Sequence, residues 1–427
     1  MGGRAGITQA GRLTATLPPT SLAALRRRTV LVLFASVALG STGYIAAVTA
    51  GTLAAAEIGG SATLGGLPTT AMVVGTAAAS ALLSALMVRS GRRRGILAGL
   101  SIGALGGAIA VLAVVAGSIP LLLLGSALAA AANSAAQLAR YVAADLYPPE
   151  RRATALGTVV WGATIGSVIG PNLLGVAGSL ATAFDLPPLA GAYLFTLAFA
   201  LAAVLLAAVL LRPEPYALAD ASSLERPDAD TPAPSVGALL GVPSATVALV
   251  SLVAGQVVMV LIMTMTPLHI TAHGHGLDTV GFVLSAHTFG MFALSPISGR
   301  LTDRFGSPAI IGAGLALLGV ASVLAALAPG DGGPLLTLAL FLLGYGWNLG
   351  FVAGSTLLTR GLALGERTRL QGVADATIWS GAALASLSSG FIVAGASYAV
   401  LGLVGLALLV APVLVLLVRL PRLRPAT

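Results

Sequence analysis

Two pairs of soft-metal ligands stand at helical spacing in neighbouring apolar segments, Met259-x-x-x-Met263 and His287-x-x-x-Met291. A helix turns about 100° per residue, so residues four apart share a face, and each segment aims two ligands the same way. Thioether and imidazole together suit Cu(I). The crowding is local: four of the seven Met and all four His lie between Met259 and Met291, leaving Met1, Met72 and Met87 elsewhere. Met265, His269, His273 and His275, at and beyond the end of the first segment, form a candidate external group for capturing the ion. A Met in an apolar span otherwise fills gaps, and a loop His is otherwise solvated. His287 differs, because an ionisable group about eight residues inside a membrane span is costly and by default functional.

The elements that must position these side chains follow from composition. With 57% apolar and 8% charged residues over 427 positions, the surplus apolar surface needs lipid to cover it, which makes the chain a multi-pass membrane protein. There is no Cys, so disulfides and thiolate metal sites are excluded and soft-metal handling falls to Met and His. There is no Lys either. A P-loop lysine, and with it a built-in ATPase motor of that type, is therefore impossible. No Ser-His-Asp or zinc-protease arrangement appears, so the chain reads as no enzyme and needs no cofactor.

Apolar runs of about 20 residues bounded by charge or Gly/Pro turns predict an all-α fold of twelve transmembrane helices. They are expected near residues 29–54, 63–88, 95–116, 120–143, 153–174 and 190–211, then 245–268, 279–298, 309–328, 334–357, 371–393 and 398–418. This divides the chain into a cytoplasmic N-terminal tail (1–28), a six-helix half (29–211), a cytoplasmic linker (212–243), a second six-helix half (244–418) and a cytoplasmic C-terminal tail (419–427). The linker is too polar and Pro-rich to span, carrying Glu214, Asp220, Glu225, Asp228 and Asp230. Arg26 to Arg28 precede a run too long for a signal peptide, so the tail is read as retained. With both termini inside, every Arg falls in the cytoplasm or at a cytoplasmic span end, and the external loops hold only Glu57, Asp185, Asp278 and Asp331. That is the positive-inside rule, and it gives the net charge of +8 a topological meaning rather than a nucleic-acid one. The expected home is the cytoplasmic membrane of a bacterium.

The loop after the eighth expected span reads Gly299-Arg300-Leu301-Thr302-Asp303-Arg304-Phe305-Gly306. It resembles the G-x-L-x-D-R-x-G signature of the major facilitator superfamily, which implies the two-half transporter fold and a gating role for Gly299, Asp303, Arg304 and Gly306. The glycines permit tight reversal, and an Asp at a helix end can pair with Arg to bias one conformation. In the corresponding loop after the second span, Ser84 takes the first Gly position and Val88 the Asp position. The fifth span carries Gly166-x-x-x-Gly170-Pro171-x-x-x-Gly175, similar to the Gly-Pro motif of the superfamily's drug antiporters; plain helix packing in a chain of 54 Gly is the alternative.

At about 1.5 Å per residue, Met259 and His287 both come out roughly 12–13 Å below the outer edge, with Met263 above them and Met291 below, as a ladder between antiparallel neighbours. The Met-x-x-x-Met of the seventh span and His-x-x-x-Met of the eighth are similar to the motifs of the CcoA-like (CalT) copper importers within the superfamily. That resemblance implies that Met259, Met263, His287 and Met291 ligate a transported copper ion, and that the chain connects to cytochrome oxidase assembly. Asp375, about five residues inside the eleventh span, is a candidate proton-coupling site that can also reach water or pair with Arg369. Arg140 and Asp145 read as a structural ion pair, and Asn133, Gln137, Gln256 and Asn348 as path-lining or interhelical amides. The expected function is copper import by alternating access, the partners being the lipid bilayer and the ion. One alternative is a proton-coupled efflux antiporter for small organic compounds; another is a membrane copper sensor or oxidase assembly partner.

Overall fold

The computed structural model describes residues 18–60, 64, 66–219, 235–275, 277–329, 333–362 and 364–423. Most of the expected N-terminal tail, Asp220, Glu225, Asp228 and Asp230 of the linker, and Asp331 lie outside them. Among the described residues all regular structure is helical. Ten helices are long and apolar enough to cross a membrane, and a bent pair in the eighth position makes an eleventh if taken as one span. The fifth expected span falls on Arg152–Asn172, followed past Leu173 by Leu174–Ala183. Gly157, Gly162, Gly166 and Gly170 dilute its apolar run.

Two spans are longer than hydropathy alone predicts. The first runs Pro19–Gly59, so the Arg26 to Arg28 cluster is helical rather than tail. Pro near the helix start suits a position whose N–H has no intrahelical partner, and Gly60, at φ +63°, ends the helix in the left-handed conformation. The eleventh runs Leu364–Gly395, with Glu366 in its first turn, where a carboxylate favours the exposed N–H groups.

The chain separates into two compact units. The first comprises Met1–Pro148, Thr158–Glu225 and Gln371–Ala376. In it the third (Arg92–Val115) and fourth (Ile119–Asp145) spans pack along each other, and the first and third both pack on the sixth (Ala190–Leu210). The third and fourth spans bury a seam of Gly and Ala, including Gly99, Gly103, Ala110, Ala129 and Ala131, whose small side chains let the backbones approach closely. Large aliphatic side chains such as Leu82, Leu105, Leu112 and Leu205 stay exposed on the outside, as a lipid-facing surface requires.

The second unit comprises Pro149–Gly157, Arg226–Leu370 and Thr377–Thr427. Its tenth span (Pro334–Leu358) packs on the ninth (Ser307–Leu327), on the seventh (Pro243–Ala272) and on all three parts of the eighth. The seventh and eighth spans touch each other only sparsely. They do not form the side-by-side antiparallel pair expected from the sequence, because each is held chiefly by the tenth.

Candidate functional site

The eighth span is not one helix. Leu277–Thr288 leads into a π-helical turn at Phe289–Ala293, and Ser295–Phe305 then departs at 42°. A π turn interrupts the regular bonding pattern and leaves backbone groups needing partners. Asn348 of the tenth span supplies them: its Nδ2 donates to the Met291 carbonyl at 2.6 Å and to Ser295 Oγ at 2.7 Å, while its Oδ1 accepts from Ser298 Oγ at 2.5 Å. Two glycines make this approach possible. A Cβ on Gly290 would meet the Phe341 carbonyl at 2.5 Å, and one on Gly344 would run into the His287 carbonyl and the Met291 amide.

His287 is fully buried at the start of this break. Its Nδ1 lies 2.9 Å from the Leu340 carbonyl oxygen. A carbonyl only accepts, so Nδ1 carries a proton and donates it to this bond. Nε2 itself is buried and has no hydrogen-bond partner among the described residues. Of the other proposed ligands, Met259 is buried and Met263 and Met291 are half-buried.

In the expected external capture group the rings contact one another directly. His269 stacks on Tyr398 at 4.1 Å, and His273 stands edge-on to His269 at 4.7 Å. His273 Nδ1 donates to the His269 carbonyl at 2.8 Å, and Tyr398 and Thr266 share a hydroxyl contact of 2.8 Å. Met265 and His275 are half-buried. Among the described residues no three His, Asp or Glu side chains gather into one group.

One feature of the second unit escaped the sequence reading. Phe289 stacks on Phe341, and Phe341 on Tyr345; Phe292 meets Trp347 edge-on, and Trp347 stacks on Phe351 at 4.4 Å. The indole N–H of Trp347 donates to Gln256 Oε1 of the seventh span at 2.8 Å, which fixes the ring. The signal was present as i, i+4 spacing in Phe341-x-x-x-Tyr345 and Trp347-x-x-x-Phe351, in a chain with only 5% aromatic residues. A small cavity beside it is lined by Ser251, Gly255, Leu318, Trp347, Gly350 and Phe351.

The loop signature has a definite local role. Asp303 accepts from the backbone N–H of Ala153 at 3.0 Å and of Thr154 at 2.9 Å, and from Thr154 Oγ1 at 2.5 Å. It thus caps the helix beginning at Arg152 instead of pairing with an arginine, the partner anticipated for it. Arg304 is exposed and lies over the Phe305 ring at 5.2 Å. Gly299 packs on the Ala153 carbonyl, and Gly306, at φ +84°, makes the reversal that most side chains would strain. Gly166 and Gly170 of the Gly-Pro motif pack against Ser41, Thr42 and Ile45, whereas among the described residues a Cβ on Gly175 would meet nothing within 4 Å.

The expected ion pairs exchange partners in the first unit. Arg140 bonds Asp375 at 2.6 Å, and Asp145 bonds Arg92 at 2.5 Å; all four side chains are buried. Residues five apart on a helix point about 140° away from each other, so Arg140 and Asp145 cannot share a partner face. Asp375 and Arg369, six apart, are separated about as widely.

The model for "Major Facilitator Superfamily" matches residues 30–280 and 247–427. The uncharacterized MFS-type transporter YdeG of Bacillus subtilis (strain 168) is 37% identical over 93% of this chain and 93% of its own length. The riboflavin transporter RfnT of Brucella anthropi is 28% identical over 85% of this chain and 88% of its own. In structure, the human organic anion transporter MFSD10 superposes with a TM-score of 0.71 over 94% of this chain and all of that one, at 19% identity, a likeness of fold alone.

Proposed function

Because the chain belongs to the major facilitator superfamily and is a secondary transporter, we propose that its cargo is a small organic solute with a flat ring system. The solute crosses the cytoplasmic membrane of a bacterium by alternating access. The aromatic series from Phe289 to Phe351, with Trp347 fixed by Gln256, carries this reading. Flat faces held in fixed orientation bind flat solutes by offset stacking, which adds about 0.5–1.5 kcal/mol per pair beyond area burial. The relative named for riboflavin, itself a fused-ring solute, supports the same class.

Copper import is the second reading. One observation favours it: the bare, buried Nε2 of His287, whose proton is held on Nδ1 by the Leu340 carbonyl, as an imidazole ligand requires. Against it stands the sparse contact of the seventh and eighth spans.

The test is uptake into proteoliposomes of tritiated riboflavin and, separately, of radioactive copper under reducing conditions. Trp347→Ala and His287→Ala variants of equal insertion are compared with the parent chain. Riboflavin uptake lost in Trp347→Ala supports the organic-solute reading. Copper uptake lost in His287→Ala replaces it with copper import.

A further inference from the structure

Resting on the reading of the chain as a secondary transporter, we propose that Asp375 is the site where the coupling proton binds, with Arg140 and Tyr141 as its built-in counter-groups. The two loop signatures differ in a way that points there. In the second unit the carboxylate of Asp303 holds the N–H groups at the start of the Arg152–Asn172 helix. In the first unit the equivalent position is Val88, which has no polar group to offer. The second and eleventh spans nevertheless meet closely there, since a Cβ on Gly372 would run into the Ser84 side chain. A buried carboxylate, Asp375, stands on the eleventh span one turn beyond Gly372 and pairs with Arg140 of the fourth span.

The hydrogen bonding around Asp375 is lopsided. Oδ1 accepts from Arg140 Nη2 at 2.6 Å and from Tyr141 OH at 3.3 Å. Oδ2 is buried and has no hydrogen-bond partner among the described residues. A proton from bulk water can therefore form its O–H bond at Oδ2 without first displacing a donor, turning a neutral ion pair into a lone buried cation. That cation is provided for. Arg140 also donates to the Gln137 carbonyl at 2.5 Å, to Gln137 Oε1 at 2.9 Å and to Tyr141 OH at 2.9 Å, and its guanidinium lies over the Tyr141 ring at 4.2 Å. Protonation thus removes the attraction that ties the 371–376 segment to the fourth span, while Arg140 keeps its own partners. Arg140 and Tyr141 are the titratable groups facing Asp375 from the fourth span, the second span presents the hydroxyl of Ser84, and Arg367 and Arg369 lie earlier on the same helix.

Two readouts on the full chain in liposomes test this without knowledge of the solute. In infrared difference spectra between neutral and acidic pH, the parent chain is expected to gain a carbonyl stretch of a buried protonated carboxyl group that Asp375→Asn lacks. The same band persisting unchanged in Asp375→Asn overturns the proposal. Because the chain has no Cys, Ser84→Cys provides a single reporter beneath Gly372. Its maleimide labelling, normalised to the unfolded protein at each pH, is expected to rise several-fold on acidification. In the Asp375→Asn background it is expected to be fast and independent of pH. Labelling that ignores both pH and the substitution also overturns it. A third arm uses riboflavin: Asp375→Asn is expected to lose accumulation driven by a pH gradient but retain exchange at equal concentrations. If riboflavin is not carried at all, the solute assignment fails while the infrared and labelling results still decide the proton site.

Discussion

A single amide side chain does more to shape the candidate site than any of the soft ligands that draw attention in the sequence. Asn348 satisfies the Met291 carbonyl, Ser295 and Ser298 at once, and so stabilises an interrupted eighth span in a medium that offers no replacement donors. Asn348→Ala leaves these groups unpaired, and is expected to cost about 1–3 kcal/mol, the usual penalty for an orphaned buried polar group. The check is thermal unfolding in detergent, where the variant should melt below the parent chain. The Arg92–Asp145 pair gives a second residue-scale prediction. Asp145→Leu leaves the buried Arg92 guanidinium without its ion-pair partner and is expected to cost about 3–5 kcal/mol, whereas the double change Arg92→Met, Asp145→Leu should recover much of that. Denaturation of the two single variants and the double variant measures it. Which residues were polar and buried was legible from their place in apolar runs. Who bonds whom was not: the reading that joined Arg140 to Asp145 relied on chain proximity, and 235 residues separate Arg140 from its actual partner.

At the scale of elements, the close seam between the eighth and tenth spans sets the position of His287 and of the aromatic series together. Gly344→Ala places a methyl group against the His287 carbonyl and the Met291 amide, which are backbone and cannot swing aside. Overpacking of this kind costs typically 1–3 kcal/mol, and solute uptake is expected to fall with it, since Phe341, Tyr345 and Trp347 ride on the same helix. Uptake and melting temperature measured on one preparation test whether the two fall together. Asp303 makes a separate element-scale case. As a cap on Arg152–Asn172, its replacement by Ala is expected to remove about 0.5–2 kcal/mol, seen as faster hydrogen exchange at Ala153 and Thr154 with little change in the tenth span. The span positions themselves were readable, because lipid demands long apolar helices and charges mark their ends. The break in the eighth span was not. The π turn is stabilised by Asn348 and by the close approach of Gly344, both brought from the tenth span, to its own Gly290, and local hydropathy carries no trace of those contacts.

For the molecule as a whole, the first part of the linker is strapped to the first unit. Arg26 Nε donates to the Leu218 carbonyl at 3.0 Å and its Nη2 to the Ala219 carbonyl at 3.4 Å, and the Arg93 backbone N–H donates to Glu214 Oε1 at 3.1 Å. Burial raises the pKa of the Glu214 carboxyl, more than the N–H groups of Arg93 and Arg92 lower it. The folded state then binds this proton more tightly than the unfolded state. Its contribution to stability is full below the ordinary Glu pKa and declines as pH rises through the elevated folded value. Glu214→Gln is therefore expected to flatten the fall in melting temperature between mildly acidic and neutral pH, and an unchanged slope would remove Glu214 from that account. Taken by itself, the sequence determined that this is a polytopic helical membrane protein, where its spans lie and, through the Asp303 loop, the superfamily to which it belongs. These rest on hydropathy, charge placement and local motif spacing, all of which act along the chain. Only the tertiary structure decided that the seventh and eighth spans are joined through the tenth, that Nε2 of His287 has no hydrogen-bond partner among the described residues, that the aromatic rings of the eighth and tenth spans pack on one another, and that Asp375 answers Arg140. Each of those depends on which helix faces meet in space, and rotating a helix by a fraction of a turn changes every partner while leaving its hydropathy untouched.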